Sequence, residues 1–125
     1  MNIRKIEPPR EFEVGFQEHR VVLRDCGRVD LSPDEQVTFT TQAGGEYDVV
    51  RKDWGFYATP SMNGRLPRYG LRAVLVKNRV NQLFLLLVEK GKEGLFEKYM
   101  TLEQLSVVSW LDSDDALKCS GGDGA

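Results

Sequence analysis

Short runs of alternating apolar and polar residues, separated repeatedly by turn signals, constrain this chain more than any other feature. The stretch E-F-E-V-G-F-Q at residues 11–17 puts Phe12, Val14 and Phe16 on one face of an extended segment. Residues 20–31 are divided by Asp25-Cys26-Gly27, where Gly27 can supply the positive φ of a tight turn, so two short strands are expected there. Ser32-Pro33-Asp34-Glu35 sets Pro where its fixed φ suits a type I turn, and the β-branched and aromatic run V-T-F-T follows as a strand. Gln42-Ala43-Gly44-Gly45 turns the chain again, and the residues around Tyr47, Val49 and Tyr57 read as extended.

Pro60, Asn63-Gly64, Pro67 and Gly70 punctuate residues 59–70, which predicts a long ordered loop. Residues 71–77 and 83–89 form the strongest strand pair, joined by the polar connection N-R-V-N-Q. The continuous run L-F-L-L-L-V in the second member predicts a central strand buried on both faces. Over residues 92–105 the period changes: Leu95, Phe96, Tyr99, Leu102 and Leu105 recur at helical steps, and Thr101 with Gln104 has capping-box spacing that would start a second helical piece. Residues 107–111 read as a last strand. The fold class expected is α+β: a mostly antiparallel, curved sheet or small open barrel of about seven or eight short strands, with one short C-terminal helical segment. The domain covers residues 1–111, and 112–125 form an acidic, Gly-rich, flexible tail.

Composition then removes function classes. The chain has 125 residues, 41% hydrophobic and 29% charged, the profile of one globular domain. Its longest apolar run, residues 83–88, falls far short of the roughly 20 residues a membrane helix needs, and the N-terminus lacks the apolar core of a secretory signal. A cytoplasmic location without membrane contact is expected. Cys26 and Cys119 are the only cysteines, which argues against a structural disulfide. With His19 they are the only soft donors, too few for a zinc site, and the acidic run from Asp112 to Asp115 lacks the Gly and Glu of a calcium loop. No cofactor or metal is expected. His19 is the sole imidazole and no nucleophile motif flanks Cys26, while Gly91-Lys92-Glu93-Gly94 lacks the spacing of a phosphate loop. No catalytic residue is assigned; an enzyme would have to use carboxylates, Tyr or Lys brought together only by the fold.

What remains is a local charge imbalance. Residues 51–79 hold seven Lys and Arg against the single acid Asp53, a net charge of +6. The other residues hold ten Lys and Arg against 18 acids and carry −8, so the overall −2 is a sum of opposites. Within the strip, Trp54, Phe56, Tyr57 and Tyr69 add aromatic surface, and Thr59, Ser61 and Asn63 add small polar groups. Arginine offers a planar fork to phosphate or carboxylate, and an aromatic face can pack on a base or sugar. The candidate ligand-binding set is therefore Arg51, Trp54, Tyr57, Ser61, Asn63, Arg65 and Arg68, with Arg65 and Arg68 on phosphate and Trp54 or Tyr57 on the ring. The competing reading puts Trp54, Phe56 and Tyr57 in the core and pairs the cations with the acidic remainder.

The segments K-D-W-G-F-Y-A-T-P-S-M-N-G-R at residues 52–65, L-V-E-K-G-K-E at 87–93 and W-L-D at 110–112 carry a resemblance. Over roughly residues 25–112 the chain resembles small uncharacterised bacterial proteins of cell-surface polysaccharide and nucleotide-sugar gene neighbourhoods. The resemblance implies a sugar-related role and assigns no catalytic residue. The functional expectation is a non-catalytic accessory or ligand-binding domain for an anionic ligand such as a nucleotide-sugar. Three alternatives stay open: a protein-interaction module, as a homodimer or with another protein, using a strand edge or the charge asymmetry; RNA or single-stranded DNA binding, which net acidity disfavours; and a small carboxylate-based enzyme.

Overall fold

The computed structural model describes residues 1–112. At its N-terminus, β1 (Asn2–Phe16) turns through Gln17-Glu18 onto β2 (His19–Asp30) as an antiparallel hairpin. Gly15 makes the tight end feasible. Its φ is +131°, and a Cβ there would lie 2.1 Å from the carbonyl oxygen of His19, so no other residue fits. Phe12, Val14 and Phe16 do share a face, opposite Leu23, Val21 and His19.

The expected division of β2 at Asp25-Cys26-Gly27 is not found: the strand runs through, and the irregularity falls on β1, where residues 6–9 lie opposite Cys26 alone. Pro8 and Pro9 have no N–H to give to a ladder, so the slack collects on their strand. Gly27 serves a close approach instead of a turn, because a Cβ there would come within 2.8 Å of the Arg4 carbonyl oxygen. These two strands are long, and β1 extends back to Asn2, well before the segment in which a strand was expected.

The second sheet follows the turn chemistry closely. β3 (Gln36–Thr40), β4 (Glu46–Lys52) and β5 (Gly55–Ala58) are consecutive antiparallel neighbours. The Glu35 N–H donates to the Ser32 carbonyl at 3.1 Å, closing the Pro33 turn, but Asp34 has a φ of +68°, so the turn is type II and not the expected type I; the Gly44 N–H donates to the Thr41 carbonyl at 3.1 Å in the next.

Within the expected loop of residues 59–70 the chain makes one helical turn, α1 (Arg65–Arg68). Ser61 explains it. Its hydroxyl accepts the Arg65 N–H at 2.8 Å and its carbonyl accepts the Leu66 N–H at 2.9 Å, satisfying donors that a helix start leaves open. The Leu66 side chain is thereby driven into the core, 1% exposed.

β6 (Leu71–Lys77), β7 (Leu83–Glu89) and β8 (Ser106–Trp110) form the third sheet in the order β7-β6-β8. The apolar run of β7 therefore lies at an edge and not in the centre. The central strand is β6, whose Ala73, Val74 and Val76 are fully buried. An apolar run signals burial but not the number of strand neighbours, and the last strand joined β6 on its other side.

Helix α2 (Glu93–Glu103) is a single piece, since the Thr101 hydroxyl donates back to the Glu97 carbonyl inside the helix instead of capping a second one. Gln104 ends it in the left-handed conformation. Phe96 and Met100 form its buried stripe, while Leu95 and Tyr99 are exposed. One face of the sheet packs Val74, Val76 and Val88 on Phe96 and Met100. The other packs Leu71 and Ala73 on Leu66, with Tyr47 of β4 and Leu87 beside them.

The architecture is thus mostly antiparallel, as expected, but the described residues form three open sheets and two helices, not one curved sheet or barrel with one helix. The hairpin pairs only with itself and β3–β5 only with one another, so no strand is shared to close a barrel. Asp112, where the tail was expected to begin, is held by Arg72, while residues 113–125 lie outside the described residues. No helix among the described residues is long and apolar enough to cross a membrane.

Candidate functional site

Three cations of the basic strip pair with carboxylates that lie outside it. Arg51 on β4 donates to the Leu31 carbonyl at 3.0 Å, and Lys52 pairs with Asp34, whose carboxylate raises the lysine pKa. Arg65 donates to the buried carboxylate of Asp48 at 3.0 Å and lies 5.2 Å from the Tyr69 ring centroid. Asp48 also accepts the Thr38 hydroxyl.

Arg72 has the densest set of partners. Its Nε is 2.6 Å from Asp112, its Nη1 is 3.3 Å from Glu93, and its guanidinium lies 4.0 Å from the Trp110 ring centroid. These carboxylates raise its pKa further. Glu93, which accepts its own backbone N–H, that of Gly91 and Arg72, is held below the usual carboxylate range. Arg79 stacks 4.1 Å from the Phe16 ring centroid. Arg68 and Lys77 make no ion pair among the described residues.

The aromatic members behave in the opposite way. Trp54 is 73% exposed and Phe56 67%, so neither is a core residue, and Tyr57 is half exposed. The structure brings Tyr57 and Ser61 together on the walls of a cleft of about 320 Å³, which Tyr47, Thr59, Met62 and Leu66 also line. The Thr59 hydroxyl is buried there without a hydrogen-bond partner. Arg51 and Trp54 do not line this cleft. The Ser61 hydroxyl is engaged by the Arg65 N–H at the start of α1, and Asn63 is exposed in the turn before it. The seven candidate residues therefore do not converge on one cavity.

A different feature emerges at β7. The Asn78 N–H donates to Gln82 at one end of the β6–β7 hairpin, and the Lys90 N–H donates to Gly70 at the other. Hydrogen-bonded pairs alternate in an antiparallel ladder, so in the observed register Phe84, Leu86 and Val88 direct their main chain toward β6. Leu83, Leu85 and Leu87 direct theirs outward, where among the described residues no strand receives it, while the outward Glu89 carbonyl accepts the Lys92 N–H at 3.0 Å.

This outer edge is regular over seven residues and uncharged from Leu83 to Val88. The other edges are guarded in the ways proteins commonly use. The hairpin edges carry Pro8, Pro9 and charged side chains, β8 has a register break opposite Leu75/Val76, and β3 and β5 are short. Beside β7, two clefts share Leu86 and Tyr99. One, of about 340 Å³, is bounded by Phe16, Phe84 and Arg79; the other, of about 360 Å³, by Val88, Phe96 and Lys92.

Leu83 is 60% exposed and Leu85 51%, which no alternation rule indicated. Sequence reasoning missed this site by reading the run as buried. The usable signal was that same run's lack of Pro, Lys or any other edge guard. Compared with known protein families, curated proteins and solved structures, the chain matches none.

Proposed function

We propose that this chain is a non-catalytic protein-interaction module that accepts an extended segment along the outer edge of β7. The observation that supports it is the row of outward main-chain groups at Leu83, Leu85 and Leu87, flanked by two clefts. In strand addition the main chain supplies affinity, and pockets for alternate side chains supply selectivity. The test is titration of the isotopically labelled chain with a synthetic peptide of alternating Val and Thr. The outward amides of β7 should shift first. N-methylation of the peptide edge that faces β7 should weaken binding at least about tenfold, since each backbone bond contributes about 0.5–1.5 kcal/mol. Equal binding by a peptide methylated on either edge would overturn the reading.

A second reading, an anionic ligand such as a nucleotide-sugar, is favoured by the cleft that joins Tyr57 to Ser61 around the unpartnered Thr59 hydroxyl. Arg68 is the cation available for phosphate, whereas Arg65 would first have to release Asp48. The resemblance to proteins of nucleotide-sugar gene neighbourhoods sets the ligand panel. A ligand at 100 times its Kd should stabilise the fold by about 2.7 kcal/mol, and Arg68→Glu should abolish the rise in Tm. No rise across the panel removes this reading.

A further inference from the structure

We infer that the cleft between the hairpin tip, the β6–β7 turn and the end of α2 binds a small zwitterion with an apolar body. This site goes beyond the reading of β7 as a docking edge and does not depend on it. Phe84 and Leu86 reach the cleft from the sheet face that packs on α2, so filling it leaves the outer main chain of β7 free.

Three segments that share no ladder with one another meet here. Phe16 comes from the end of β1, Arg79, Phe84 and Leu86 from the β6–β7 hairpin, and Tyr99 and Glu103 from α2. A volume of about 340 Å³, with apolar walls and few charged groups, is that of a small-ligand site. Phe84 and Tyr99 are nearly half exposed, so a ligand that covers them gains apolar burial.

Two charges of opposite sign line the cleft, and among the described residues neither Arg79 nor Glu103 makes an ion pair. Arg79 is set in advance. The Asn78 Oδ1 accepts the N–H of Val80 at 3.1 Å and of Gln82 at 2.9 Å, which fixes the turn, and the Phe16 ring centroid 4.1 Å away holds the guanidinium. The ring covers one face of that guanidinium, while its N–H groups lie in the plane, where an anion can meet them. Glu103 is half-buried in the last turn of α2, which holds no basic residue. The helix dipole adds negative charge at that end, so the carboxylate and the helix both favour a cation.

A carboxylate on Arg79 and an ammonium on Glu103, with the apolar part against Phe84, Leu86 and Tyr99, satisfy both charges at once. A simple anion would meet Glu103 as a repulsive neighbour, and a simple cation would meet Arg79 in the same way. The chemistry is shared by an apolar α-amino acid and by a short apolar peptide with both ends free. Because the β1–β2 hairpin pairs only with itself, a ligand here also ties its tip to α2.

Titration of the isotopically labelled full chain with L-phenylalanine, L-leucine and the dipeptide of each tests the inference. Saturable shifts of the Phe16, Tyr99 and Glu103 amides are expected, with slower exchange at the hairpin tip. N-acetylation removes the ammonium and amidation removes the carboxylate, and each should weaken binding at least about tenfold. Arg79→Met should bind amidated and free ligand equally, and Glu103→Gln should do the same for acetylated and free ligand, with far-UV circular dichroism unchanged. The blocked ligands are compared on the unaltered chain, a readout that stands even if a variant fails to fold. Binding of the amino acids but not the dipeptides identifies a free amino acid as the source of this chemistry, and the reverse identifies a peptide. Equal binding by blocked and free forms overturns the inference, as does no binding by any of these ligands. Shifts confined to the Leu83, Leu85 and Leu87 amides overturn the cleft site and leave the docking edge standing. Cleft shifts without binding of the Val/Thr peptide at β7 support the cleft site and overturn the docking edge alone.

Discussion

The β1–β2 hairpin and the β6-centred sheet are built from the same antiparallel pairing, yet they hold their residues in opposite environments. No residue of the two hairpin strands is buried, although Val21, Val22, Leu23 and Val29 are apolar. In β6, Leu71, Ala73, Val74 and Val76 are all buried. The hairpin is held chiefly by its ladder and cross-strand pairs, whereas β6 is held by side chains above and below it. Ladder length is therefore a poor guide to where this protein stores its stability.

The largest expected break in that contrast lies beneath β6. Leu66→Ala should cost about 2–5 kcal/mol, because Leu66 fills the space against Leu71 and Ala73 that the backbone cannot close. Its measure is the midpoint of urea unfolding. Next comes Arg72→Met, at about 2 kcal/mol by the same assay, since it leaves the Asp112 carboxylate only 9% exposed and without its cation.

Val21→Thr on the hairpin should change stability by less than about 0.5 kcal/mol. A loss approaching that of Leu66→Ala would show that the hairpin face is covered in solution. The smallest effect sharpens the picture through pH. Glu93 has its folded pKa lowered, so its contribution is present above the unfolded glutamate value and is lost as pH falls through the folded one. The unfolding midpoint should fall in that acid window, and Glu93→Gln should flatten the fall.

Where local chemistry decides structure, the sequence could be read directly. The bounds of β6 and β7 and the turns at Pro33 and Gly44-Gly45 follow from residues within a few positions of one another. Where distant segments decide, it could not. The continuity of β2 depends on residues 2–5 returning to pair with 27–30, and the edge position of β7 depends on β8 taking the other side of β6. The candidate ligand site failed to converge for the same reason. Arg65 finds Asp48 17 residues away, a pairing that charge counting cannot foresee. The exposure of Trp54 and Phe56 was the part of the strip that local reasoning left open, and it went against the core reading.

The grip of Arg72 has a mechanical meaning. One guanidinium on the central strand clasps Asp112 just beyond β8, Glu93 at the first turn of α2 and the indole face of Trp110. A pull applied to the chain at its C-terminal end reaches the sheet through that clasp before it loads any rung of the β6–β8 ladder. Peeling of β8 should begin only once the clasp gives way, so the force needed to start it is set by one side chain.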